Sequence, residues 1–161
     1  MITIYTDGAA RGNPGPGGWG SIVFDDNRVV ELGGDEAHTT NNKMELTAAI
    51  KAIEFASENF TPFAPLEIHT DSEYVMKGIT IWINDWLKRN WKTAGKKPVL
   101  NKDLWQKLLI ITEEKEITWK YVAGHAGVAL NERCDEIATA FADGLEVTLY
   151  NGDRQSYPVL S

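Results

Sequence analysis

The sequence predicts an α/β fold: a mixed sheet of five strands with helices packed on both faces and a basic helical protrusion. Two features of the pattern order carry this. Three strand-like runs follow one another with short connections, which favours antiparallel neighbours. Strand runs then alternate with helical periods, which favours parallel strands joined by helical crossovers.

Each element has its own reason. Ile2 to Thr6 alternates and is rich in β-branched residues, so it reads as a strand ending at Asp7. Gly20 to Phe24 and Arg28 to Gly33 form the next two strands, turned by Asp25-Asp26-Asn27. Asn42 to Ser57 is a helix whose apolar stripe is Met44, Ala48, Ala52 and Phe55. Pro62 and Pro65 break the chain before a strand over Leu66 to Thr70. Ser72 is an N-cap for a short helix to Gly78. Thr80 to Asn90 and Lys102 to Glu114 are helical, Ile117 to Val122 is the fifth strand, and Asn131 to Ala142 is a helix. The expected domain spans 1–144, and 145–161 reads as a loose, flexible tail.

The chain has 161 residues and is 43% hydrophobic with six tryptophans, enough for one domain with a substantial core. No signal-peptide pattern precedes Ile2 and no run approaches about 18 apolar residues, so neither secretion nor a membrane partner is expected. One cysteine, Cys134, excludes an internal disulfide. A cytoplasmic monomer is the expectation. The net charge of −7 argues against a polyanionic partner until its distribution is considered. Between Trp82 and Lys102, six cations stand against the single Asp85, and the remaining chain is strongly acidic. Such segregation concentrates attraction for an anion at one place.

Four carboxylates stand out. Asp7 and Asp71 follow two strands expected to be parallel neighbours, at the edge where open α/β sheets bind ligands. Glu45 shares a helix face with Ala49, Ala52 and Ala56, and Asp135 shares one with Ala138 and Ala142. Either helix acid alone is explained by the helix N-terminus, which favours negative charge. Together with the aspartates they point to a cation, because packed carboxylates are costly unless neutralised. All-oxygen ligands favour Mg²⁺ or Mn²⁺ over zinc. The run Gly15 to Gly20 matches G-x-G-x-x-G as a string. A strand pattern follows it where the dinucleotide motif needs a helix, and Pro14 and Pro16 remove donor amides. It reads instead as a tight connection between strands, with Asn13 placed to reach a phosphate or sugar near Asp7.

Five motifs occur in order: "TDGAARGNPGPGGWG", "TTNNKMELTAAI", "TDSEYV", "GITIWINDWLKRNWKTAGKKPVLNKDLW" and "GHAGVALNERCDEIA". Over about residues 4–142 the chain resembles the bacterial type 1 ribonuclease H family. The resemblance implies hydrolysis of the RNA strand of RNA·DNA hybrids by a two-metal-ion mechanism. It implies Mg²⁺ as cofactor, with Mn²⁺ able to substitute. It also implies 5′-phosphate and 3′-hydroxyl products and a place in DNA replication and repair. It makes Asp7, Glu45, Asp71 and Asp135 the metal ligands and His125 a mobile-loop residue assisting proton transfer or product departure. Asn13, Asn41 and Asn42 become contacts to the hybrid near the cut, Thr40 a contact to a DNA phosphate, and Glu73 a further substrate-binding position. Trp82, Lys88, Arg89, Lys92, Lys96 and Lys97 become the basic protrusion, with packing the first job of Trp82 and Trp86. Glu73 stands where many relatives carry glutamine, and the tail matches no part of the pattern. Two rival readings remain open: a silent hybrid-binding module, and a DNA-cutting enzyme of integrase or resolvase type on the same fold. His69 lies on the face of Asp71 and reads as a hydrogen-bonded structural histidine, and Cys134 as a small core residue.

Overall fold

The computed structural model describes residues 1–123 and 128–160. Its elements run β1 (Ile2–Ala10), β2 (Gly15–Phe24), β3 (Arg28–Thr39), α1 (Asn41–Asn59), β4 (Leu66–Thr70), α2 (Glu73–Lys77), a π-helical turn (Gly78–Trp82) and α3 (Ile83–Lys88). They continue with α4 (Lys102–Thr112), β5 (Ile117–Tyr121), α5 (Ala129–Ala142) and β6 (Asn151–Asp153), then short 3-10 turns over Arg154–Ser156 and Pro158–Leu160. The sheet order is β5-β4-β1-β2-β3-β6. β1 pairs parallel with β4, and β4 with β5; the remaining pairings are antiparallel. The expected directions of the first five strands are all present.

Two helices cover opposite faces. α1 begins at Thr40, whose hydroxyl accepts from the Lys43 amide at 3.2 Å. Its Leu46, Ile50 and Ile53 meet Ile4, Ile68, Trp105 and Leu108 in the larger core. α4 packs on the outer side of α1, so α1 is buried over more than one stripe. α5 lies on the other face, where Leu130 and Cys134 join Ile22, Phe24, Val29 and Tyr157 in a second core. Cys134 is thus the buried core residue the sequence suggests.

Three corrections follow from the sheet. β1 does not end at Asp7: its parallel pairing with β4 stops at Thr6↔Thr70, while its antiparallel pairing with β2 runs on to Ala10↔Gly17. Asp7 therefore sits where β1 parts from β4. The glycines from Gly15 onward belong to β2 rather than to a connection, and at Gly18 and Gly20 α5 leaves no room for a side chain. A β-carbon at Gly18 would strike the Ala138 carbonyl oxygen and the Ala142 amide of α5. The tail expected to be loose adds a sixth strand, pairing Arg28↔Asp153, Val29↔Gly152 and Val30↔Asn151. Tyr157 is 1% exposed. Its hydroxyl donates to the Glu31 carboxylate at 2.6 Å. Arg133 grips the same carboxylate through Nε at 2.8 Å and Nη2 at 3.1 Å, and the Tyr150 amide donates to it at 2.9 Å. Burial pushes the Glu31 pKa up, but these donors outweigh it and hold the group below its ordinary value.

The expected helix over residues 80–90 is the π turn plus α3. A β-carbon at Gly78 would collide with the Trp105 ring, so the absence of a side chain lets the π turn pack directly on that ring. Trp82 and Trp86 lie 6.0 Å apart with tilted rings, Trp86 lies 6.2 Å from Trp91 and 5.3 Å from Trp105, and Tyr74 bridges Trp82 and Trp105. The tryptophans are the internal support of the protrusion.

Gly18→Ala should destabilise the protein by about 2–4 kcal/mol, since both groups it would strike are backbone and cannot rotate away. Urea denaturation checks this; a loss below about 0.5 kcal/mol would show that α5 is not seated this closely.

Candidate active site

Asp7, Glu45 and Asp71 converge at the point where β1 and β4 separate. Each offers a carboxylate oxygen, and these oxygens lie within 4.8 Å of one another. The local sequence explains the approach. Gly8 carries no side chain, and a β-carbon there would overlap the Met44 carbonyl carbon and the Glu45 amide nitrogen. The first turn of α1 can therefore settle on β1. The Gly8 amide then donates to Asp7 Oδ1 and to Glu45 Oε1, both at 2.9 Å. Asp7 is 4% exposed and Glu45 7%, while Asp71 is half-buried.

This arrangement is electrostatically unfinished. Glu45 Oε2 is buried with no hydrogen-bond donor among the described residues. Across from it stands the Asp7 carboxyl, which can share with it only a proton or a cation. Burial pushes the Asp7 pKa up to about 7, with the charges of Asp71 and Asp135 adding to the rise against the relief from Glu45 and the Gly8 amide. Burial, then Asp7, raises Glu45 well above the ordinary carboxylate range. A buried oxygen without a donor, in an all-carboxylate set, fits a hard divalent cation.

Asp135 is half-buried on α5 and near enough for its charge to act on Asp7, but it is not one of the three whose oxygens cluster tightly. His125 lies outside the described residues. Asn13 and Asn41 are brought together: the Asn41 amide donates to Asn13 Oδ1 at 2.9 Å, while Asn41 Oδ1 accepts from the Ala10 amide at 2.6 Å. These bonds clasp the β1–β2 connection to the start of α1. Asn42 is exposed next to them. Thr40 uses its hydroxyl as the helix cap. Glu73, on the first turn of α2, has a side chain 68% exposed and lies 3.6 Å from Lys77 Nζ. Lys88, Arg89, Lys92, Lys96 and Lys97 are all exposed on the protrusion, and Trp82 is half-buried in its aromatic pile. The loop that carries three of these lysines is braced by Lys92↔Pro98 pairing and by Thr93–Lys97 bonds.

His69 is not in the cluster. Its Nε2 meets Glu67 Oε1 at 2.7 Å and its ring stacks on Tyr5 at 4.2 Å. Sequence reasoning missed the shared Gly8 amide and the Asn13–Asn41 clasp, because a backbone donor and a mutual amide bond leave no periodic signal. It also missed a bidentate pair between Arg11 and Asp143, at 2.7 and 2.9 Å, that ties the β1–β2 connection to the end of α5.

The fold and the carboxylate cluster together define a domain of ribonuclease H-like architecture with a site that can hold a metal ion. The RNase H family model matches residues 1–143. A Ribonuclease H from Cyanothece sp. is 56% identical over 147 residues, covering 91% of this chain and 92% of that protein. Ribonuclease HI of Caulobacter vibrioides is 53% identical, covering 85% and 89%. LC9-RNase H1, described as a type 1 RNase H with the type 2 active-site motif, superposes with a TM-score of 0.80 at 31% identity, over 94% of this chain and 77% of its own. LC11-RNase H1 in complex with an RNA/DNA hybrid gives 0.68 at 27%, over 89% and 98%. The chain belongs to the RNase H family, as a bacterial type 1 member. It is a ribonuclease H, and its family is metal-dependent. Among the described residues no helix is long and apolar enough to cross a membrane.

A carboxyl group whose pKa is raised by folding adds stability while protonated and loses it as pH climbs through the folded value. Without metal, Asp7 should therefore cost the protein stability as pH rises from about 4 to about 7. Asp7→Asn should stabilise the metal-free protein at pH 8 by roughly 1–3 kcal/mol, with the gain vanishing toward pH 4. Thermal melts across this range check it. Mg²⁺ at pH 8 should raise the melting temperature of the wild type and leave that of the variant nearly unchanged.

Proposed function

We propose that the chain cuts the RNA strand of an RNA·DNA hybrid at the Asp7–Glu45–Asp71 cluster, using Mg²⁺ with Mn²⁺ as a substitute, and leaves 5′-phosphate and 3′-hydroxyl ends. The observation that carries this is the buried Glu45 Oε2, which lacks a donor and faces Asp7 beside Asp71. Asp135 is the fourth carboxylate, and a pair of ions held among the four is the arrangement we favour. Bound there, divalent cations would lower the pKa of a water and neutralise charge on the scissile phosphate. The protein's own contribution is positional. Gly8 holds Asp7 and Glu45 through a single amide, so neither carboxylate is free to turn away from the phosphate. Asn13, Asn41 and Asn42 present amide groups that can read a ribose 2′-hydroxyl, which tells RNA from DNA. The Asn13–Asn41 clasp orients them before substrate arrives. Thr40 adds a backbone contact beside its capping role, and Glu73, freely exposed, tunes the approach of the strand. His125 assists proton transfer or product departure.

The exposed cations Lys88, Arg89, Lys92, Lys96 and Lys97 grip phosphates, and recognition follows backbone and shape rather than base sequence. LC11-RNase H1, a structural relative solved in complex with an RNA/DNA hybrid, supports this substrate class. We place the activity in the cytoplasm, in primer removal and hybrid clearance.

The test is cleavage of a labelled hybrid, duplex DNA and single-stranded RNA with and without Mg²⁺. Metal-dependent cutting of the hybrid's RNA strand is expected, reduced at least about 10³-fold in Asp71→Asn. Binding of the hybrid without cutting under either ion would reject this proposal for a silent binding module. Separately, each of Lys88→Ala, Lys92→Ala and Lys96→Ala should lower the slope of log affinity against log salt by up to about one unit. Unchanged slopes would remove the protrusion from the hybrid interface.

A further inference from the structure

The tail does more than extend the sheet. Glu31 lies on β3 in the second core, and its carboxylate receives four hydrogen bonds from three residues. Two come from Arg133, on α5; two come from Tyr150 and Tyr157, in the tail. Arg133 Nη2 also donates to the Thr148 carbonyl at 3.1 Å, and Nη1 to Glu136 Oε2 at 3.2 Å. Val128 and Leu130, at the start of α5, pack with Tyr157 and Val159. The first half of α5 is thereby bound to β3 and to the tail by a buried charge and an apolar seam. Asp135 lies two residues beyond Arg133 in that half.

We propose that Arg133, Glu31 and Tyr157 are positioning residues for Asp135, with the C-terminal segment serving as the strap that holds this carboxylate in place for the metal. The inference rests on reading Asp135 as the fourth carboxylate of the site. The physical basis is unequal support. Asp7 and Glu45 share the Gly8 amide, so their positions follow from β1 and α1 directly. Asp135 belongs to a helix on the opposite face: Gly18 and Gly20 let α5 seat on β2, and the Arg133–Glu31 pair adds the directional hold near Asp135. A guanidinium fork on a buried carboxylate is directional, so it fixes both the axial position and the rotation of the helix near Arg133. Tyr157 completes the acceptor shell of Glu31, so its hydroxyl keeps the carboxylate aimed at Arg133. Groups that orient ligands in this way change metal affinity by about 10- to 100-fold when removed. A strap one residue further out should have a smaller effect.

Tyr157→Phe keeps the ring and removes the hydroxyl; Glu31→Gln keeps the shape and removes the charge. Both are made in the full chain, with Asp135→Asn as reference and Leu108→Ala, in the other core, as a control for simple loss of stability. Three quantities are read well below the melting temperature: Mn²⁺ binding to metal-free protein by calorimetry, the Mg²⁺ concentration for half-maximal cleavage, and KM for the hybrid. The expected result for Tyr157→Phe is Mn²⁺ affinity and Mg²⁺ midpoint both weakened about 3- to 10-fold. KM should stay within about twofold and the rate should recover at high metal. Glu31→Gln should follow the same pattern, and Leu108→Ala should lose stability without moving either metal reading. Tyr157→Phe that loses stability yet keeps wild-type metal readings, while Asp135→Asn shifts them, overturns the strap alone. Unchanged metal readings in Asp135→Asn overturn the role given to Asp135, and the strap with it.

Discussion

The structure turns on a single close approach, the seating of α1 on β1 at Gly8. It puts the Glu45 carboxylate where a hydrocarbon side chain would be cheaper and leaves one of its oxygens without a donor. Desolvating a charge next to two others costs several kcal/mol unless a proton or a cation joins the group. The rest of the local design keeps that costly geometry from relaxing. The Gly8 amide holds both carboxylates, Thr40 caps the helix that brings Glu45, and the Asn13–Asn41 clasp prevents the β1–β2 connection from drifting off the helix start. A cluster that repels itself stays assembled because the elements carrying it are buried on independent grounds, Ile4 and Met44 among them.

Charge is distributed to match. An acidic cluster alone would repel a polyanion. The cations are collected on a protrusion built on tryptophans in tilted and edge-on contact, whose rings bury hydrocarbon while the lysines stay in water. Trp91 takes a left-handed backbone at φ 61°, a costly conformation for a large residue. Its ring in the aromatic pile and the Val99 amide on its carbonyl offset that cost.

Much of this is legible in the sequence, and the rest is hidden for identifiable reasons. Strand directions, the α1 stripe and the convergence of Asp7, Glu45 and Asp71 follow from periods of 2 and 3.6 and from where strands stop, which are local signals. The length of β1 and β2 is not legible, because Gly15, Gly17 and Gly18 read as turn residues when nothing shows the close packing around them. β6 is hidden for a related reason: Asn151-Gly152-Asp153 is turn-like in composition, and pairing with β3 makes it a strand. The pairs Glu31–Arg133 and Arg11–Asp143 join residues more than a hundred positions apart, so no spacing could reveal them. Thr40 reads as a phosphate contact from its motif, while its capping bond shows only once the helix start is fixed.

The carboxylates do not share one foundation, and this shapes how the site tolerates change. Asp7, Glu45 and Asp71 belong to strands and a helix that pack into the larger core, together with Trp105 and Leu108. α5, which carries Asp135, packs into the second core with Ile22, Cys134 and Tyr157. The sheet separates the two, and at Gly18 and Gly20 only backbone stands between α5 and the strand plane. A shift of the larger core therefore carries those three carboxylates together and keeps their mutual spacing. Changes in the second act on one, leaving the other three in register. The position of α5 near Asp135 is therefore set on its own side of the sheet, by close seating on Gly18 and Gly20 and by the Arg133 fork on the buried Glu31 carboxylate.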